Sequence, residues 1–197
     1  MNKFFLYISI NFLFQACSPV SLSPSDYVRW VENGENGLCA TKQIEDFEFS
    51  ILYKPLNYVA LRETNKDSVT EERIEKNKDE LKDLQYFTLK IKAKEGNDLL
   101  KTGISTDQEY FDRLNYLSGF MQDDIKLIEG KDTLICKLFH MERNYGLAPY
   151  NNFVLGFSAS KNENDKLVEI NDKAFGVGKV ILKIKKEDIQ NIPQLKI

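Results

Sequence analysis

Few side chains in this 197-residue sequence can do chemistry. There is one histidine, His140, so mechanisms that need two are excluded. It lies in the densest polar cluster, FHMERNYGLAPY, with Glu142, Arg143, Asn144, Tyr145 and Tyr150. Placed at a strand end and the turn after it, His140, Glu142, Arg143 and Tyr145 suggest a pocket. In it, His140 and Arg143 would hold an anion or a glycan beside Tyr145. The plainer alternative is a satisfied, half-buried histidine, with Arg143 paired to a carboxylate and Tyr145-Gly146 making the turn. Strict alternation along the strand sets His140 on the side of Leu134, Cys136 and Leu138, with Lys137 and Phe139 opposite.

Other chemistry finds little support. The sequence has no HExxH, no His-x-Glu-His and no Cys-x-x-Cys, so no metal site is expected. It also lacks the phosphate loop ending in Gly-Lys-Ser/Thr and the Gly-x-Ser-x-Gly elbow, and no cofactor is expected. Phe175-Gly176-Val177-Gly178 has the glycines of a phosphate loop but falls between two β segments, where a tight turn or bulge is the better account. The 13 Phe and 9 Tyr fall mostly on alternating core faces, so no aromatic sugar platform is visible in the pattern. Two cysteines, Cys39 in an expected loop and Cys136 inside an expected strand, are permitted a disulfide in an oxidising compartment. The alternative for them is two buried free thiols.

Cys17 differs from both. Lys3 precedes an apolar run over residues 4–14, interrupted only by Ser9 and Asn11. The run is too short to span a bilayer and has the length of the apolar core of an export signal. Phe14-Gln15-Ala16-Cys17 at its end resembles the lipobox of bacterial lipoproteins, although Phe14 stands where Leu is usual and Gln15 where a small residue is usual. The resemblance implies that the Cys17 thiol receives a diacylglycerol, that a dedicated peptidase cuts before it, and that the new amine is open to acylation. It implies a signal peptide over residues 1–16, while the small, polar, proline-broken residues after Cys17 suit a lipid-anchored tether over residues 17–23, leaving one domain over 24–197. It extends over the N-terminal segment alone and implies nothing about that domain. No acidic cluster follows Cys17, which favours a domain facing the periplasm from the inner or outer membrane.

The elements that must position these residues are read from period and capping. Hydrophobic residues make up 42% and charged residues 29%, as in an ordinary globular domain. The net charge of −3 gives no basic field for nucleic acid. Ser23-Pro24-Ser25-Asp26 starts a short helix with Tyr27, Trp30 and Val31 on one face. Ser68-x-x-Glu71 and Thr106-x-x-Glu109 have capping-box spacing and predict two more. Residues 47–54 and 87–93 alternate apolar with polar side chains, and further strands are expected over 125–128, 133–142, 152–159, 166–170 and 179–185. The connections among the last five are short enough to require antiparallel neighbours. The expected fold is a single α+β domain, with about seven strands in an antiparallel sheet or sandwich and two or three helices.

Together these readings describe a lipid-anchored envelope protein whose soluble domain binds an envelope protein or a glycan ligand. The rival is a small envelope hydrolase or isomerase with its site near His140, Glu142 and Arg143. A purely structural or assembly role is a third reading.

Overall fold

A computed structural model describes residues 20–96, 98–144, 147–160 and 164–197 of the chain. The expected signal peptide, Cys17 and Tyr145 lie outside the described residues. The fold begins with a two-residue strand, β1 (Ser21–Leu22), which pairs in parallel with β10 (Gln194–Leu195) near the other terminus. Ser21 and Leu22, assigned by the sequence to a tether over residues 17–23, make this pairing. Ser23 then caps α1 (Pro24–Glu32), its hydroxyl accepting the Asp26 N–H, and Tyr27 and Val31 are fully buried.

Eight strands form the body: β2 (Cys39–Ile44), β3 (Phe47–Lys54), β4 (Leu84–Ala93), β5 (Ile125–Glu129), β6 (Asp132–Glu142), β7 (Tyr150–Ser158), β8 (Lys166–Asn171) and β9 (Lys179–Ile184). Their spatial order is β2-β3-β4-β7-β6-β5-β8-β9, and every ladder is antiparallel. β9 comes round beside β2 and β3, so the sheet curls into a nearly closed barrel. Phe49, Ile51, Phe87, Leu89, Phe153, Leu155, Phe157, Val168 and Val180 fill its interior and are fully buried. An eight-stranded barrel is just wide enough for side chains to fill. The interior is accordingly a core. Among the described residues the buried hydrophobic cluster runs from Tyr27 to Ile184, with Pro193 buried beyond it, so residues 20–197 carry a core of their own, as a unit able to fold alone must.

The fold is α+β, and besides the short pair β1 and β10 its large sheet has one strand more than expected. The addition is β2, placed in a loop by its sequence CATKQI because Thr41, Lys42 and Gln43 are polar and exposed. Only Ala40 and Ile44, opposite Ile51 and Phe47, give it an inward face. Cys39 consequently opens a strand. The helices number five: α1, α2 (Leu56–Arg62), α3 (Glu71–Leu81), α4 (Asp107–Ser118) and α5 (Lys186–Gln190). The additions, α2 and α5, are short. In α3 the cap is Thr70, whose hydroxyl accepts the Arg73 N–H, because a preceding turn capped by Asn65 takes Ser68. In α4 the capping box forms as expected: Thr106 accepts the Glu109 N–H, and the Glu109 carboxylate accepts the Thr106 N–H.

Antiparallel order assigns every connection to an end of the barrel. α2 and α3 join β3 to β4 at the end where the chain enters through α1. At the opposite end, α4 joins β4 to β5, β6 turns into β7, and residues 172–178 join β8 to β9.

Candidate functional site

β6 carries the histidine, and a bulge decides which way it points. Cys136 pairs with Phe157 and Leu138 with Gly156, so Lys137 is an extra residue in the ladder. One extra residue reverses the alternation. Leu134 and Cys136 before it, and Phe139 and Met141 after it, pack on the core. Leu138, His140 and Glu142 face outward and are exposed. This corrects the placement of His140 beside Leu134 and Cys136. Gly156 allows the close approach, since a Cβ there would lie 2.8 Å from the Leu138 Cβ.

His140 and Arg143 border one surface cleft of about 400 Å³ with Ser118 and Met141. Glu142 is outside this lining, and its carboxylate accepts a hydrogen bond from Asn152 Nδ2 at 3.0 Å on β7. The structure thus brings His140 and Arg143 together and leaves Glu142 with another partner.

Arg143 also borders a second cleft, about 470 Å³, under α4 at the end of the barrel opposite α1. Its polar wall comprises Asp98, Lys101, Tyr110, Arg143, Asn144 and Asn151, with Leu114 and Met141 as apolar floor. Each position has a local cause. Asp98 accepts the Leu100 N–H at 3.0 Å through its side chain and the Lys101 N–H at 2.9 Å through its carbonyl, which turns residues 98–101 back toward α4. Arg113 on α4 donates to the Thr102 carbonyl at 2.5 Å and lies 5.3 Å from the centre of the Phe175 ring, tying this segment to the β8–β9 loop. Asn144 Nδ2 donates to the Ala148 carbonyl at 3.0 Å across the β6–β7 turn. Asn151 is 1% exposed, in phase with Phe153, Leu155 and Phe157. Its Oδ1 has no hydrogen-bond partner, and its Nδ2 makes only a 3.5 Å contact to the Glu142 carbonyl. No ion pair engages Arg143 or Lys101 among the described residues. Two cations, a carboxylate and a phenol therefore face one space, and Asn151, whose buried amide oxygen is unmet, lines it. That set can accept an anion and several hydroxyl groups together.

The sequence singled out Arg143, with Asn144 in the same polar cluster, but not Asp98, Lys101, Tyr110 and Asn151, which come from three other segments. Asn151 had a legible signal, an amide at an inward position of an alternating strand. The FGVG segment is a loop held by its own carboxylate: Asp172 accepts the N–H groups of Ala174 at 3.0 Å, Phe175 at 3.0 Å and Val177 at 3.1 Å. Those N–H groups are occupied.

A second polar group was also missed. Lys166 and Glu129 form an ion pair inside the α1 end of the barrel, with side chains 8% and 0% exposed. Lys166 also donates to Gln85 Oε1 at 2.7 Å, and Gln85 Nε2 donates to Glu129 Oε2 at 3.3 Å and to the Ser158 carbonyl at 3.0 Å. The ammonium lies 5.5 Å from the centre of the Tyr53 ring. Burial first, and the Glu129 charge second, push the Tyr53 hydroxyl up, so it stays protonated. The network is closed to solvent and internally satisfied, which suits a structural role. Among the described residues no cluster of His, Cys, Asp and Glu suits a metal ion, and no helix is long and apolar enough to cross a membrane.

Cys39 and Cys136 are both free thiols. β2 and β6 are four strands apart in either direction round the barrel, far beyond the Cα separation of about 7 Å that a disulfide tolerates. The bridge is therefore not made, and the free-thiol alternative fits except that Cys39 is only half-buried. Burial pushes the Cys136 thiol up to about 11 from its ordinary 9.0. Its contribution to stability is intact below about pH 9 and is lost as pH rises toward 11, because the unfolded chain ionises first. In the chain from Val20 onward, iodoacetamide at about pH 8 is expected to label Cys39 and spare Cys136 until denaturant is added. Peptide mass mapping checks this, and faster labelling of Cys136 would contradict it.

No protein-family model, curated protein or solved structure matches the chain.

Proposed function

We propose that this chain is an envelope lipoprotein, held through acylated Cys17, whose domain binds a hydroxylated anionic glycan in the cleft under α4. The observation that carries the reading is the convergence on that cleft of Arg143, Lys101 and Asn151, a buried amide whose Oδ1 is unmet. A carboxylate on the ligand would answer the two cations, and its hydroxyls would donate to Asp98 and Asn151. Rotation of the Asn151 amide about χ2 is inexpensive and turns Oδ1 toward the cleft. Of the two partner classes expected from the sequence, glycan and envelope protein, this chemistry favours the glycan. Topology supports the anchored arrangement as well. The chain enters from the Cys17 side at the α1 end of the barrel, and the cleft lies at the other end, directed away from a bilayer.

The hydrolase or isomerase reading has one observation in its favour, the cleft that His140 and Arg143 share with Ser118. Titration calorimetry of the chain from Val20 onward with a uronic-acid disaccharide, and with its neutral counterpart, separates the readings. Saturable binding of the acidic sugar, at least tenfold weaker in Arg143→Gln and with the sugar recovered unchanged, is expected. Equal affinity for the neutral sugar, or an unaffected Arg143→Gln, sinks the proposal. Conversion of the sugar that disappears in His140→Ala would establish the enzyme instead.

A further inference from the structure

A different cleft lies at the opposite end of the molecule, between α1 and α2. It encloses about 560 Å³, within the usual range for small-molecule pockets. Val28, Leu61 and Val69 form its apolar floor, with Pro24 at one side. Leu61 is 7% exposed, and Val28 and Val69 are half-buried and pack against the core. Thr64, also at the floor, has a satisfied hydroxyl, donating to the Ala60 carbonyl at 2.8 Å and accepting from Asn77 Nδ2 at 2.8 Å. The floor therefore makes no polar demand on an occupant.

The rim differs. Among the described residues Arg29 and Arg62 are its only charged lining residues, and both are exposed. Arg62 makes no ion pair or side-chain hydrogen bond among the described residues. Arg29 pairs with Asp26 at 2.5 Å, but that pair is open to solvent, with side chains 77% and 49% exposed. Exposed pairs contribute at most about 1 kcal/mol, so the guanidinium is readily redirected. An apolar floor under two guanidinium groups is complementary to one kind of molecule, a hydrocarbon chain ending in an anion. Guanidinium binds carboxylates in a bidentate fork, and the chain removes the floor from water.

We infer that the α1–α2 cleft is a binding site for a single-chain anionic amphiphile of the fatty-acid type, with its carboxylate on Arg62 and Arg29 and its chain along Val28, Leu61 and Val69. The site is separate from the glycan cleft and does not depend on it. Pro24 and Ser25 of its lining follow closely on β1, and in the anchored reading a bilayer, which holds such molecules, lies on that side.

The probe is laurate below its micelle concentration, added to the chain from Val20 onward and followed by the fluorescence of the sole tryptophan, Trp30, on α1 and by calorimetry. Saturable one-to-one binding is expected, with at least tenfold loss in Arg62→Gln. Val69→Glu sets a like charge in the floor and is expected to abolish binding. Thermal melting of both variants establishes that they are folded, which is expected because neither position is fully buried. Dodecanol, which lacks the charge, is expected to bind at least tenfold more weakly than laurate. Absence of saturable laurate binding would overturn the inference. So would equal affinity for dodecanol, or affinity unchanged in both folded variants. Either result leaves the glycan reading intact, since that is measured with a different probe on Arg143.

Discussion

Glu129→Leu is expected to lower the stability of the domain by about 3–5 kcal/mol, and Lys166→Met in the same chain to restore most of it. The reason is enclosure. Lys166 is paired to Glu129 in the barrel interior and has only Gln85 as another hydrogen-bonding partner. Removing the carboxylate leaves an ammonium with no counter-ion in a low-dielectric space. The group must then lose its proton or draw in water, and either course is unfavourable. Replacing both partners by apolar side chains of similar length removes the charge along with its cost. A deficit of about 1 kcal/mol should remain, because Gln85 Oε1 loses its donor while Gln85 Nε2 keeps the Ser158 carbonyl. Urea unfolding of the two single variants and the double variant measures this. Additive losses would show that the pair is not coupled and would contradict the structural role assigned to it.

Cys17→Ser is expected to move the protein from the membrane fraction to the soluble fraction of the envelope without changing its melting temperature. Each buried methylene of an acyl chain contributes about 0.8 kcal/mol of membrane affinity, so two or three chains outweigh any surface contact the domain makes. The melting temperature should hold because the buried core of the described residues lies between Tyr27 and Pro193, away from Cys17 in the sequence. Fractionation followed by thermal melting tests both halves. Retention of the variant in membranes at the wild-type level would contradict the anchor.

What the sequence revealed follows the physics of each element. β3 and β4 are legible because one face of each is buried, which imposes a period of two on Phe47 to Tyr53 and Phe87 to Ala93. α4 is legible because its capping box is a local device. β2 is not, since its pairing with β3 comes from backbone hydrogen bonds that leave no apolar pattern in CATKQI. The orientation of His140 is hidden for a related reason. A bulge adds one residue and leaves each half of β6 alternating normally, so a phase carried from Leu134 arrives reversed at His140. Glu129 and Asn151 sit in phase with Leu127 and Phe153, so alternation does place them inward. Their polarity argues locally for the surface, and only their partners or the cleft explain them. The cleft itself joins residues 98–101, 110–114, 141–144 and 151, whose proximity depends on β4, β7 and β6 lying side by side.

The anchored binding role turns first on what happens at Cys17, and the mass of the mature N-terminal peptide reads that directly. The account predicts a peptide beginning at Cys17 that carries a thioether-linked diacylglycerol, with or without a further acyl group on its amine. A peptide beginning at Met1 or Ser18, or one with an unmodified Cys17, would contradict it.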